Sequence, residues 1–288
     1  MTRRVLIGGA AAVGGGAPPL VIAGPCVMED EDVTLQTARR MKEICGAVGL
    51  PFVFKSSYDK ANRTSASSFR GPGLERGLGT LAEVRSSLGV PVTSDVHSVS
   101  EVGPASEVLD LIQIPALLSR QTDLVVAAAR SGRPVNVKKG QFLAPWDMAN
   151  VIEKCRSAGC LDVLVSERGT TFGYNNLVAD MRAIPIMRAL GVPVIFDVTH
   201  SLQLPGGRGA SSGGQREFAG TLMRAAIAAG ADGIFMEVHP EPDRALCDGP
   251  NMIPLSEVEA LLRAARRIHE AAGPEGEAPG APGSPRVV

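Results

Sequence analysis

The chain has almost no net charge, no CxxC cysteine pair and no long apolar run. Twenty-nine Lys and Arg against 30 Asp and Glu leave a formal charge of −1 over 288 residues. That balance gives no electrostatic reason to expect nucleic acid or an anionic membrane as a partner, so any strong positive field has to be local. The five cysteines, Cys26, Cys45, Cys155, Cys160 and Cys247, are odd in number and include no CxxC pair. Such usage argues against a disulfide framework or a zinc ribbon and fits a reducing cytosol, so a cytoplasmic location is expected. No stretch is long and apolar enough to span a bilayer. The opening MTRRVLIGGAAAVGGGAPPLVIAGPC sets Arg3 and Arg4 before an apolar segment. Glycine dilutes that segment where a secretory signal needs a compact apolar core, and Pro25 spoils the lipoprotein-like IAGPC.

What is present is a soluble globular composition, 44% hydrophobic and 20% charged, long enough for one large barrel or two ordinary domains. Eight short runs rich in Val, Ile and Phe recur at residues 20–23, 52–54, 90–93, 109–112, 135–137, 163–165, 194–196 and 233–236. Amphipathic stretches lie between most of them, among them residues 32–47, 73–88, 121–130, 144–158 and 217–229. Apolar runs alternating with helical patterns predict parallel strands covered by helices, and eight such units predict a single (β/α)8 barrel over residues 1–272. Residues 4–7 read as a small strand at the barrel floor, and the Pro/Gly-rich residues 273–288 as a disordered tail. Acidic residues 29–32 suit the amino end of the first helix, and Cys45, Cys155 and Cys160 read as core.

Barrel enzymes place their working groups at the carboxyl ends of the strands. One to four residues past each run stand Cys26, Lys55, Asp95 with His97, Gln113, Lys138, Arg168, Asp197 with His200, and Glu237 with His239. Every predicted strand therefore ends in a polar or ionisable residue. The stretch KSSYDKANRTSASSFRGPG, residues 55–73, adds Lys60 and Arg63 among hydroxyls, which suits phosphate oxygens. The cations Lys55, Lys60, Arg63, Arg120, Lys138 and Arg168 would repel one another without anions. Two phosphate esters at roughly −1.5 to −2 each, with one carboxylate, would balance them. Strand 8 closes on strand 1, so Cys26, His200 and Glu237 should lie side by side, with Asp248 from the following loop, as a mixed-ligand site for a divalent metal. The glycine-rich residues 204–214 read as a mobile lid.

The motifs KANRTS (60–65), FRGPGLERGL (69–78), SDVH (94–97), QIPALLSRQTDL (113–124), NVKKGQF (136–142), ERGTTFGYNNLVADM (167–181), FDVTHSLQ (196–203), SGGQR (212–216) and CDGPN (247–251) resemble those of the 3-deoxy-D-manno-octulosonate 8-phosphate synthase family. The resemblance implies condensation of phosphoenolpyruvate with D-arabinose 5-phosphate and water, serving lipopolysaccharide biosynthesis. It implies that Lys55, Ser57, Lys60, Gln113, the Ala116 backbone, Lys138 and Arg168 hold phosphoenolpyruvate, while Asn62, Arg63 and Thr64 receive the pentose phosphate. Thr64 stands where the family usually has serine, and its hydroxyl keeps the phosphate contact available. Arg120 is implied to reach a neighbouring subunit's site in a homotetramer. Cys26, rather than the Asn of the metal-free branch, implies a bound divalent metal (zinc, iron(II), manganese or cobalt) on Cys26, His200, Glu237 and Asp248. Lys60, Asp95, His200 and Asp248 are the candidate catalytic groups. The related synthase that uses erythrose 4-phosphate shares the barrel but typically reads KPRTS in place of KANRTS. A barrel retained only for binding would be expected to have lost some of these groups.

Overall fold

The computed structural model describes residues 1–63, 65–206 and 213–272. Eight parallel strands close on themselves: strand 1 (Leu20–Gly24), strand 2 (Phe52–Lys55), strand 3 (Val92–Asp95), strand 4 (Leu111–Ile114), strand 5 (Val135–Lys138), strand 6 (Val163–Glu167), strand 7 (Val194–Asp197) and strand 8 (Gly233–His239). Each pairs with the next in parallel, and strand 8 pairs with strand 1 in the register Glu237↔Gly24. The expected (β/α)8 barrel is therefore the observed fold. Its helices are α1 (Glu31–Val48), α2 (Leu74–Leu88), α3 (Val99–Val108), α4 (Thr122–Arg130), α5 (Met148–Ser157), α6 (Ala183–Arg188), α7 (Ala219–Ala228) and α8 (Val258–Ala272).

Alternation along the strands separates two cores. Outward residues such as Val21, Ala23, Phe52, Phe54, Val135, Val137, Val163 and Val165 join the helices' apolar faces in one large cluster. Inward residues Leu20, Ile22, Val53, Leu111, Leu164, Ile195 and Phe235 pack with Val5, Ile7, Ala11 and Val13 in a second. The latter four belong to an antiparallel hairpin, Val5–Ile7 with Ala11–Val13, which plugs the barrel's amino-terminal end. The single floor strand expected from residues 4–7 is thus half of a hairpin, made possible by the turn through Gly8 and Gly9, both at positive φ.

The same inward face turns polar toward the strands' carboxyl ends. Strands 2, 3, 5 and 7 end on Lys55, Asp95, Lys138 and Asp197, and strand 8 carries Glu237. Gly24 permits the close approach of strands 1 and 2, because a Cβ there would run into the Lys55 carbonyl. The α1 amino terminus is capped by Asp30, whose carboxylate accepts from the Val33 amide at 3.1 Å, as the acidic cluster suggested. Cys45, Cys155 and Cys160 are buried, and burial pushes the Cys45 and Cys155 thiols up to about 12, which leaves them inert. The predicted tail, residues 273–288, lies outside the described residues.

Candidate active site

The carboxyl-terminal mouth of the barrel opens into a cavity of about 920 Å³. Lys60, Asn62, Arg63, Asp95, Ala116, Lys138, Arg168, His200 and Asp248 line it, together with His97, Gln141, Gln203 and Cys247. Lys55, Ser57, Gln113, Cys26 and Glu237 are fully buried and form the layer beneath that lining. Arg120 is exposed and stands outside the lining. Thr64 falls outside the described residues, as do residues 207–212 of the segment read as a lid. The two ends of that segment are tied, Gln203–Leu204 pairing antiparallel with Gly213–Gly214.

The cations are not left to repel one another, and here the charge balance read from sequence needs correction. Lys55 and Lys60 both bond Glu237 Oε1, at 3.1 and 3.3 Å, and Lys138 bonds Asp197 Oδ2 at 2.9 Å. Lys55 also lies 3.8 Å from Asp95. The protein's own carboxylates therefore neutralise part of the charge, and less remains for a polyanion than six free cations would offer. Arg168 keeps its surplus: Nη2 donates to Gln203 Oε1 at 3.1 Å, while the buried Nη1 has no partner.

Each carboxylate is held ionised. Burial alone would raise the Asp95 pKa, but Lys55, Lys138 and Lys60 outweigh it and leave the group well below the usual carboxylate range. Asp197 is likewise lowered against its burial by His200 and Lys138, and Glu237 by Lys60, His200 and Lys55. A folded-state pKa below the unfolded value, about 4 for these groups, contributes stability above that value and loses it as pH falls through the folded range. Thermal unfolding is accordingly expected to stay flat from pH 8 to about 5 and to drop steeply below about pH 4. Asp95→Asn should make that drop shallower, and an unchanged profile would contradict it.

Asp95 is also the end of a buried relay. Ser166 Oγ donates to Asn136 Oδ1, Asn136 Nδ2 to Gln113 Oε1 and Gln113 Nε2 to Asp95 Oδ1, each at 2.9 Å. Ser57 Oγ donates to the other Asp95 oxygen at 2.8 Å. Sequence reading singled out Gln113, Ser57 and Asp95 but not Asn136 or Ser166. Both occupy inward positions next to chosen residues, which is the signal that would have found them.

The four expected metal ligands converge in two overlapping groups, His200/Glu237/Asp248 and Cys26/Cys247/Asp248, the donor atoms of each within 4.8 Å of one another. The donors suit a divalent transition metal. Glu237 Oε2 is buried without a hydrogen-bond partner and lies 3.7 Å from His200 Nε2. His200 Nδ1 lies 2.8 Å from Asp197 Oδ2, which turns Nε2 toward the site as in carboxylate–histidine–metal arrangements. Cys26 Sγ is 3.6 Å from Asp248 Oδ2. Burial pushes the Cys26 thiol well up, reinforced by Cys247, whose sulfur is 3.1 Å away. Cys247, not selected from sequence, also meets Arg63 Nη1 at 2.7 Å.

A sequence model of the DAHP synthetase I family matches residues 5–272. The chain belongs to this family. Among its relatives, the 2-dehydro-3-deoxyphosphooctonate aldolase of Trichlorobacter lovleyi is 61% identical over 263 residues, covering 91% of this chain and 96% of the relative. Proteins of the same description from Geobacter sp. strain M21 and Geobacter sulfurreducens are each 60% identical over 268 residues, covering 93% of this chain and 98% of the relative. The family match spans the whole barrel, including every element that contributes a side chain to the cavity. Among the described residues no helix is long and apolar enough to cross a membrane.

Proposed function

We propose that the protein condenses phosphoenolpyruvate with D-arabinose 5-phosphate and water to give 3-deoxy-D-manno-octulosonate 8-phosphate and inorganic phosphate, the eight-carbon acid sugar used in lipopolysaccharide. The observation that carries this reading is a single cavity in which Lys60, Asn62, Arg63, Lys138 and Arg168 surround a Cys/His/Glu/Asp cluster. The activity named for relatives at about 60% identity supports it.

In this reading phosphoenolpyruvate lies against Lys60, Ala116, Lys138 and Arg168, above a floor of Lys55, Ser57 and Gln113. The partnerless Nη1 of Arg168 supplies a buried donor for one phosphate oxygen. Asn62, Arg63 and Thr64 receive the pentose phosphate, and Arg120 extends from a neighbouring subunit of a homotetramer. Fixing two polyanions side by side brings the enol carbon to the aldehyde carbon. A carbon–carbon bond forms, water adds to the adjacent carbon and gives up a proton, and the aldehyde oxygen gains one; the hemiketal phosphate then collapses, its hydroxyl oxygen forming the ketone carbonyl and passing its proton to the departing phosphate as the ester C–O bond breaks. Asp95 stays ionised and, held well below the usual carboxylate range, orients Ser57 and Gln113; the Lys60 ammonium is placed to donate to the aldehyde oxygen, and His200, its Nδ1 turned to Asp197, offers Nε2 to the metal. Cys26, His200, Glu237 and Asp248 hold a divalent ion, zinc, iron(II), manganese or cobalt, which when bound supplies Lewis-acid polarisation. The enzyme works in the cytoplasm.

The one rival is the 3-deoxy-D-arabino-heptulosonate 7-phosphate synthase that uses erythrose 4-phosphate, after which the family is described. Phosphate release is the first test. The proposal requires it to depend on both phosphoenolpyruvate and D-arabinose 5-phosphate, with an eight-carbon product by mass; release without the pentose phosphate would refute it.

A further inference from the structure

Behind the cavity wall, on the side facing the helices, lies a charged pair that the mechanism above does not use. Lys139 and Glu167 follow or end strands 5 and 6 and are 0% and 1% exposed. Strand alternation sets them on the outer face, where the other outward residues of these strands are Val135, Val137, Val163 and Val165. Their chain neighbours Lys138 and Arg168 point the other way and line the cavity.

The Lys139 ammonium sits in a cage of oxygens: Thr170 Oγ1 at 3.1 Å, and the carbonyls of Leu143, Gly140 and Gly169 at 3.2, 3.4 and 3.5 Å. Glu167 Oε2 is 3.6 Å away with no hydrogen-bond partner of its own, while Glu167 Oε1 accepts from the Gly169 amide at 2.7 Å. The Lys139 amide donates to Ser166 O at 2.8 Å, and the Thr171 amide to Gln141 O at 2.9 Å. One ammonium thus ties the turn after Lys138 to the turn after Arg168.

The attraction between the two charges does not by itself account for their burial. Burial lowers the Lys139 pKa and raises that of Glu167, each toward neutrality. Apolar residues of similar volume can replace an isolated buried pair without loss of stability, but here they would also strand the oxygens and the amide that the pair serves. What an apolar pair cannot reproduce is direction, because the ammonium's three N–H donors point at Thr170 Oγ1, the Leu143 carbonyl and the longer-range Gly140 and Gly169 carbonyls that share the third.

We propose that Lys139 and Glu167 are a positioning pair that fixes Lys138 and Arg168 in register for the enol phosphate; this rests on the reading of the cavity given above. The test replaces both with methionine, Lys139→Met with Glu167→Met, in the full-length metal-loaded protein. Denaturant unfolding, calorimetric binding of phosphoenolpyruvate and KM for each substrate are then compared with the unaltered chain. The double variant strands the cage oxygens and the Gly169 amide and should unfold at lower denaturant concentration, yet where it is fully folded it should bind phosphoenolpyruvate roughly tenfold or more weakly. Its KM for the aldose phosphate should stay within about twofold, since the pair supports groups assigned to the other substrate. If that variant does not fold, Glu167→Gln carries the test, with the same selective loss expected. Undiminished phosphoenolpyruvate binding, or equal weakening toward both substrates, would overturn the inference. An unaltered protein that binds no phosphoenolpyruvate would overturn the cavity reading and the inference with it.

Discussion

Exhaustive chelation is expected to lower turnover by about a thousandfold, and added zinc, iron(II), manganese or cobalt to restore it. The magnitude follows from the several kcal/mol that a Lewis acid contributes at a charged transition state, at about 1.4 kcal/mol per factor of ten. The structural basis is the donor set itself. Glu237 spends Oε1 on two lysines and keeps Oε2 free, and His200 spends Nδ1 on Asp197 and keeps Nε2 free. Those free atoms converge with Asp248. A buried carboxylate oxygen without a partner is costly unless something satisfies it, and a divalent ion does so. Activity assays before and after chelation, with metal content measured in parallel, check the expectation. Full turnover in metal-free protein would contradict it.

The second large effect is expected at Asp197, whose carboxylate serves both halves of the site. It accepts from Lys138 at 2.9 Å and from the His200 amide at 2.9 Å, and it lies 2.8 Å from His200 Nδ1. Asp197→Asn leaves the Lys138 ammonium buried without its counter-charge, a change that costs about 3 kcal/mol or more. It also removes the group that orients the His200 ring, which should weaken metal binding by about ten- to a hundredfold. Denaturant unfolding reads the first effect and competitive metal titration the second. Wild-type metal affinity in the folded variant would show that His200 needs no such support.

Most of this arrangement was legible in the sequence because a barrel converts chain order into position. Once eight apolar runs were in hand, closure of strand 8 on strand 1 placed Cys26, His200 and Glu237 side by side with Asp248 in the following loop, and the family resemblance singled the four out as a metal site. Boundaries were harder. Strands 3 and 4 begin two residues later than their apolar runs, at Val92 and Leu111, because Pro91 cannot donate to the ladder and Leu109 caps α3. Counting only apolar residues also cut the strands short. Lys55, Asp95, Gln113, Lys138 and Asp197 lie inside the strands rather than beyond them.

What the sequence concealed is the pairing of charges. Sequence reading treated the cations as a field awaiting a polyanion, whereas Lys55, Lys60 and Lys138 already face Glu237, Asp95 and Asp197. Those pairs join residues as much as 182 positions apart. Their identity depends on which rotamers meet across the barrel. The Asn136 and Ser166 relay and the Lys139 and Glu167 pair are placed by two-residue alternation from Lys138 and Arg168, the first two inward and the second two outward, but the partners they meet are set by the fold.

Substrate choice is the claim on which everything else depends, and KANRTS puts Ala61 and Asn62 in the cavity lining where the rival motif has a single proline. The most direct measurement is kcat/KM for phosphate release from phosphoenolpyruvate with D-arabinose 5-phosphate against erythrose 4-phosphate, on the same metal-loaded preparation. A site built to bond the longer sugar's hydroxyls should favour the pentose phosphate by at least about a hundredfold. Equal or greater kcat/KM with erythrose 4-phosphate would contradict the account.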